Sequence, residues 1–564
     1  MILHLCLIIV CVLLLCLRQS LTETCKCGPR DACWPDKQAW DELSQDVGGR
    51  LIPTVPIGHV CHSPTYNATA CVQLQQAWDL SDTHETSSSS VMQRWWANFS
   101  CNPFDPPSKP CRIGDYVRYA IDVATEDHII KGIQFAQRHN IRLVIRNTGH
   151  DFLGRSTGYG SLALWMHHVT GPQFIANYTS PQYRGPAVKV MAGDQVDDLL
   201  AYLQRQGHVA VAGTCPSVGM AGGYTSGGGH GTLISLFGLS ADNTLEFEVI
   251  TAAGEKITAS PNQNQDLYWA LSGGGPGNYA VVWSMTLKVF PDFPVANAIL
   301  SFDIGNHTED TFWRVIDTWH TLVPAINDAG AYAYAYYQQG HFQLFPLLAF
   351  NMSTIQAADM LAPLRQQLER LGFQYNFTTQ AFPNYITAYH ASFPEWFVGT
   401  FTVASRLIPL DVVQHNASGL SSTVRGIFDD GALIIEQVMA PTLRAAGHPD
   451  NAVLPAWRST SIDLVVGSPW NDTAPVAEDV AQQKLFTDTW MPALQALTPS
   501  SGVYMNEGDP NDPEWQSNFF GVNYGRLAAI KRKWDPTSFF YARQAVGSEA
   551  WAENDEQVLC RTAG

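Results

Sequence analysis

Residues 117–124 set Val117, Tyr119, Ile121 and Val123 against Arg118 and Asp122, the alternation of a half-buried strand. Thr125 then stands where a helix N-cap belongs, and Ile129, Ile133 and Phe135 share one side of a helix expected to run to Asn140. Further strands are expected at 142–146, 162–166, 188–192 and 209–212, with a helix over 196–206. The alternation continues with a strand at 245–251, a helix at 266–271 and a strand at 279–289 closed by Pro291, so a domain should end near Pro294. Beyond it, strands at 331–337 and 345–350 mix with helices at 354–371 and 478–497, the pattern of an antiparallel sheet covered by helices. Before residue 112 periodicity is weak apart from a short helix at 37–47. The fold class expected is α+β.

A chain of 564 residues with 46% hydrophobic and 15% charged residues can bury a core of about three domain-sized units. Its 33 Lys and Arg against 51 Asp and Glu give a formal charge of −18, which repels nucleic acid and anionic membranes. Residues 2–17 are apolar except for His4 and lead to Ser20 and Thr22, which reads as a secretory signal over 1–22, with an uncleaved anchor as the alternative. Two features agree with a secreted protein that has no membrane contact once the signal is removed. Asn-X-Ser/Thr sequons occur at Asn67, Asn98, Asn177, Asn306, Asn351, Asn376, Asn416 and Asn471, so N-glycans are expected. Seven cysteines crowd residues 25–111, and only Cys215 and Cys560 lie elsewhere after the signal. If Cys215 is reserved for chemistry, the other eight can form four disulfides.

Two loops carry the candidate chemistry. Arg146, Asn147, Thr148, Gly149, His150, Asp151, Arg155 and Ser156 follow a strand in a glycine-punctuated turn able to cradle phosphate with backbone N–H groups. Gly213, Cys215, Ser217, Val218 and Gly219 follow another strand and run into residues 221–231, where six of eleven residues are glycine, including Gly222, Gly223, Gly228, Gly229 and Gly231. No ordinary helix or strand tolerates that density, so the backbone must approach something closely. The run from Gly273 to Gly277 ends a helix instead of opening one, and Pro276 breaks its spacing, which argues against a dinucleotide fingerprint. His167, His168 and His230 lack partners at metal-ligand spacing, and no metal is expected.

Taken together, these stretches resemble the berberine-bridge-enzyme-like branch of the vanillyl-alcohol-oxidase superfamily, in particular secreted fungal members similar to isoamyl alcohol oxidases. The helix-glycine stretch 266–275 and the segments 520–527 and 531–536 match two further family stretches. The resemblance implies a PCMH-type two-subdomain FAD-binding domain over 113–293 and a substrate domain over 294–500. It also implies a berberine-bridge-like segment over 501–550 returning to the FAD domain, a tail over 551–564 and a disulfide-rich wrap over 23–112. It further implies FAD bonded twice, through His150 to the 8α-methyl carbon and through Cys215 to C6, with Ile250 and Asn523 also at the cofactor. Val218, three residues after the linked cysteine, would gate oxygen.

The expected activity is that of an oxidase. Hydride from an alcohol, or from a related C–H or amine group of a small molecule, passes to flavin, and dioxygen leaves as hydrogen peroxide. The alternatives are an oligosaccharide oxidase, a flavin dehydrogenase or oxidative cyclase in a natural-product pathway, and a flavin-free binding glycoprotein. A monomer is expected. The base that takes the substrate proton is placed at Glu507 or Tyr504, where the family commonly has Tyr-x-Asn-Tyr. Read as a strand, 502–507 puts these two on opposite faces, so only one could face the flavin.

Overall fold

The computed structural model describes residues 25–393 and 397–562, and the signal segment lies outside them. Three sheets organise the chain. The first joins Leu51–Pro53 (β1), Tyr119–Asp122 (β2), Leu143–Arg146 (β3) and Leu162–Trp165 (β4) in the order β1-β2-β4-β3, with β2, β4 and β3 parallel. Thr125 does precede a helix, Glu126–Arg138, but its side chain makes no capping bond. Glu126 and Asp127 in the first turn supply the favourable charge instead.

Gln173–Thr179 (β5) and Arg184–Met191 (β6) open the second sheet, and His208–Val209 (β7) lies outside it. Thr244–Ile250 (β8), Lys256–Ala259 (β9) and Val281–Lys288 (β10) complete an antiparallel order β5-β6-β10-β8-β9. The strand expected over 209–212 shrinks to two residues paired with Phe290–Pro291 (β11), because the chain turns into the cysteine loop. Helix Val196–Gln204 packs Val196, Leu199, Leu200 and Leu203 into the same core as the glycine-rich stretch.

The third sheet has seven antiparallel strands: Val295–Asp303 (β12), Tyr332–Gln338 (β13), His341–Phe350 (β14), Tyr375–Phe382 (β15), Phe401–Pro409 (β16), Leu433–Val438 (β17) and Thr460–Pro469 (β18). Their order is β15-β12-β14-β13-β17-β18-β16. Strand alternation divides its faces. Ala333, Ala335, Ile434, Val438, Ile462 and Leu464 meet helices Glu309–Asp328 and Ala417–Asp429 in one core, while Tyr332, Met439, Leu407 and Trp457 join the core that holds the glycine-rich stretch. The helix expected over 354–371 is two, Thr354–Met360 and Ala362–Leu371. Pro363 opens the second, since it lacks the N–H that a continuous helix would need. Among the described residues no helix is long and apolar enough to cross a membrane.

Disulfides join Cys27 to Cys33, Cys61 to Cys71 and Cys101 to Cys111, and Cys25 to Cys560 ties the two ends of the chain together. Cys215 is left free. The N-terminal region is laced onto the rest by Arg94, which pairs with Asp479 at 2.8 Å and donates to the carbonyl of Asn471 at 2.6 Å.

Candidate active site

Strand β3 ends in Arg146, which is fully buried. Its Nη2 donates to the carbonyls of His84 and Ser87, each at 3.1 Å, while Nε and Nη1 have no partner among the described residues. Gly149 lies against this guanidinium at φ +88°, where a Cβ would fall 2.8 Å from Nη2, so only glycine fits. Asp151 folds its own loop: its carboxylate accepts the N–H groups of Leu153 and Ser156 at 3.1 Å and that of Arg155. Arg155 reaches the carbonyl of Arg543 at 2.9 Å and Asn506 Oδ1 at 3.2 Å, leaving Nη2 unpartnered. Thr148 is buried beneath the loop.

The two attachment candidates converge on one hydroxyl. Ser217 Oγ lies 2.7 Å from His150 Nε2 and 3.8 Å from Cys215 Sγ. The turn that carries Cys215 and Ser217 is set by the helix after Gln195, whose Val196 and Asp197 N–H groups donate at 3.0 Å to the carbonyls of Val218 and Pro216. Asn147 staples the two loops, donating to the carbonyls of Ala192 and Ala221, and Gly219 leaves room for its amide. Burial, then charge repulsion from His84 and Arg146, pushes the His150 pKa down to about 3, so its imidazole is neutral at ordinary pH. Burial pushes the Cys215 thiol up to about 11, with hydrogen bonds from Ser217 pulling part of the way back.

The glycines divide by what they face. Gly213 and Gly229 pack on Tyr224, and Gly231 lies so close to the Ala212 carbonyl that a Cβ would overlap it. These serve the packing of the chain on itself. Gly222, at φ +121°, and Gly223 front open space, with nothing closer than Pro276 Cβ at 4.0 Å. Gly228, at φ +119°, lies 3.9 Å or more from Tyr504 and Leu239. That frontage, together with the unpartnered atoms of Arg146 and Arg155, fits a large anionic cofactor laid along the loops. Two further expected residues have these surroundings. Ile250 is buried in the core between the first two sheets, opposite Val281, and Asn523 donates to the carbonyls of Ala452 and Val453 at 3.1 and 3.2 Å.

Residues 502–507 are not a strand. The Gly502 carbonyl accepts from the Leu407 N–H and the Val503 N–H donates to the Asn518 carbonyl, each at 2.9 Å, and the Glu507 N–H then turns back to the Tyr504 carbonyl at 2.9 Å. Strand parity does not apply, and both side chains reach His230. Glu507 Oε1 lies 3.1 Å from His230 Nε2, and the Tyr504 ring stands edge-on to the imidazole at 4.8 Å. Burial, then the charge of Glu507, push the Tyr504 hydroxyl far above its usual value. Its oxygen accepts from Asn506 Nδ2 at 2.9 Å, and the same amide holds the Gly223 carbonyl at 2.9 Å. Burial works against protonation of His230, but the charge and hydrogen bond of Glu507 outweigh it and raise its pKa. Trp457 closes this wall, 5.6 Å from Tyr504.

His230, Trp457 and Asp463 were not singled out as site residues by sequence reasoning. His230 finds its carboxylate partner 277 positions away. Asp463, a carboxyl in the otherwise apolar run 462–466, was the one available signal.

Loops that present a buried guanidinium, a neutral imidazole and a glycine frontage, beside a carboxylate-bearing aromatic pocket, define a flavoprotein oxidoreductase. Residues 117–260 match the family described as FAD binding domain, and residues 503–547 match berberine and berberine like. The FAD-linked oxidoreductase patO of Aspergillus clavatus is 42% identical over 96% of this chain and 95% of its own length. The bifunctional decalin synthase calF of Penicillium decumbens is 40% identical over 96% of each. The crystal structure of the VAO-type flavoprotein MtVAO615 from Myceliophthora thermophila C1 superposes with a TM-score of 0.91 at 36% identity, covering 96% of this chain and 100% of that one. The chain belongs to the berberine-bridge-enzyme-like family of FAD-dependent oxidoreductases within the vanillyl-alcohol-oxidase superfamily.

Proposed function

We propose that this FAD-dependent oxidoreductase is an oxidase that carries its flavin on two covalent bonds, from His150 and Cys215, and takes hydride from a hydroxyl-bearing carbon of a small molecule. The observation that carries the double attachment is the shared hydroxyl of Ser217, which holds His150 Nε2 and Cys215 Sγ no farther apart than its 2.7 and 3.8 Å contacts together allow. The flavin's 8α-methyl carbon and C6 belong to one ring, so two nucleophiles this close suit it. The flavin supplies hydride acceptance, and the protein supplies binding, orientation and a proton acceptor. Glu507 is that acceptor. It has one carboxylate oxygen with no partner, whereas Tyr504 would have to ionise against both burial and the Glu507 charge.

All eight sequon asparagines are exposed, and four disulfides need an oxidising compartment, which supports a secreted glycoprotein. The pathway oxidoreductase reading is favoured by the decalin synthase likeness. The oligosaccharide oxidase reading has only fold-level support, from a chitooligosaccharide oxidase at 18% identity. The test has two parts. Acid-precipitated protein should stay yellow in the His150→Ala and Cys215→Ala variants and lose its flavin in the double variant. Peroxide release should then be screened against alcohols, sugars and polycyclic phenolics. A double variant that retains flavin overturns the attachment reading, and turnover only with an added electron acceptor overturns the oxidase reading.

A further inference from the structure

Asp463 sits in the middle of β18, between Leu407 of β16 and Gln437 of β17. Its neighbours Ile462 and Leu464 point into the helix-covered core, so alternation sends Asp463 to the opposite face, toward the pocket. It is fully buried, and neither carboxyl oxygen makes a hydrogen bond of good geometry among the described residues, although the Ser405 hydroxyl of β16, itself unpartnered, faces it. One of those oxygens lies within 4.8 Å of both the His230 imidazole and the Glu507 carboxylate. Glu507 already receives His230 on Oε1, but its Oε2 has no donor either. Bare carboxylates are not left this way in a protein interior. One proton held between the two acids would meet both deficits at once: it would neutralise the buried carboxyl and, once their separation of at most 4.8 Å closes to hydrogen-bond length, give the second oxygen of Glu507 a donor.

We propose that Asp463 is a further acid of the active site, holding a proton that it shares with Glu507, so that His230, Glu507 and Asp463 form an uncharged unit selective for neutral hydroxyl compounds over ammonium or carboxylate substrates. This rests on the reading of Glu507 as the proton acceptor. The groups facing Asp463 are His230 from the glycine-rich stretch, Glu507 and Tyr504 from the turn, Tyr332 from β13 and Ser405 from β16. His230 is the one cation named among them. Burial, then the charge of Glu507, hold the Asp463 carboxyl far above the usual carboxylate range, with His230 and Ser405 acting weakly against them.

Oxidation of the substrate carbon would release a hydride, which bound flavin would accept with its two electrons, and a hydroxyl proton, which the Glu507 carboxylate would take, so the pair would then hold two protons. Passing those two electrons to dioxygen would consume two protons to give hydrogen peroxide; the pair would supply one and the cofactor the other, and the pair would return to one proton.

The test uses the flavin-loaded protein; its spectroscopic arms need no substrate, and a last arm measures turnover of a substrate found in the peroxide screen. Infrared difference spectra between mildly acidic and alkaline solution should show the C=O stretch of a protonated carboxyl that disappears on alkalinisation. The band should be absent in Asp463→Asn. In Glu507→Gln it should persist but titrate at least one pH unit lower, because the like charge that sustains it is gone. Light-reduced wild type mixed with oxygen should reoxidise more slowly as the solution turns alkaline and the pair loses its proton, and Asp463→Asn should lose that dependence while keeping its flavin content. A missing band in the wild type, or one unchanged in Asp463→Asn, overturns the proposal. If the band behaves as expected and Glu507→Gln turns substrate over at the wild-type rate, Asp463 keeps its proton and the base assignment of Glu507 falls.

Discussion

Apo-protein carrying His150→Ala leaves Cys215 as the sole attachment point when FAD is added. Its thiol pKa is raised by burial to about 11, and only the thiolate attacks carbon. At pH ~7 about one thiol in ten thousand is therefore competent, and each pH unit multiplies that fraction about tenfold. Thioether formation should accelerate about a hundredfold between pH ~7 and pH ~9. The converse variant, Cys215→Ala, should behave differently. Its His150 is held at about 3, so the imidazole is already neutral across the whole range and its rate should be flat. The thioether bond displaces a ring hydrogen and leaves two electrons on the flavin, which dioxygen removes, so both series are run in air-saturated buffer. Flavin retained in the acid pellet is followed against time at each pH. A flat Cys215 series would show that a neighbouring base, and not thiol ionisation, limits the step; a steep His150 series would show that the imidazole is not neutral.

Val218→Leu should slow reoxidation of the light-reduced enzyme severalfold at unchanged flavin content, because Val218 sits on the cysteine turn and packs against the main core; unchanged stopped-flow traces would remove the gate. Glu436→Leu should cost about 3–5 kcal/mol in urea unfolding. That carboxylate is fully buried and receives Trp319 Nε1 at 2.6 Å, His320 Nε2 at 2.8 Å and Tyr337 Oη at 2.8 Å, all of which would lose their acceptor. A loss below about 1 kcal/mol would contradict it. Glu85 is an acid raised by burial to about 7, so the native state favours its protonated form and its contribution to stability falls as pH climbs from the usual glutamate value through about 7. Glu85→Gln keeps the acceptor for Gln195 and should gain stability relative to wild type across that window, read as the difference in melting temperature at each pH; a constant difference would refute the sign.

The first half of the fold was legible because its buried strands obey period two and its helix at Glu126–Arg138 buries Ile129, Ile133 and Phe135 on one side. Strand β5 was not legible. It is an edge strand with most residues partly or fully exposed, so it carries no core stripe to read. Strand β15 escaped for the same reason, being the other sheet's exposed edge. At the site, the glycines announced themselves because their backbone conformations exclude side chains, yet their number overstated the cofactor's share. Gly219, Gly229 and Gly231 make room for Asn147, Tyr224 and Ala212.

The pocket was hidden by a wrong assumption about backbone geometry. Treating 502–507 as a strand forced a choice between Tyr504 and Glu507, and the turn at 504–507 removes that choice by bringing both to His230. A carboxylate at 507, where the family pattern Tyr-x-Asn-Tyr would place an aromatic hydroxyl, changes what its surroundings must provide. Tyrosine brings its own proton to a buried contact, but glutamate arrives without one and needs donors. His230 supplies the first at 3.1 Å. The second unpartnered oxygen then calls for a protonated neighbour, and among the described residues the buried acid grouped with Glu507 and His230 is Asp463. The departure at one position and the presence of an acid in an apolar strand 44 residues earlier are thus one feature of the chain, joined by the need to keep a buried negative charge hydrogen-bonded.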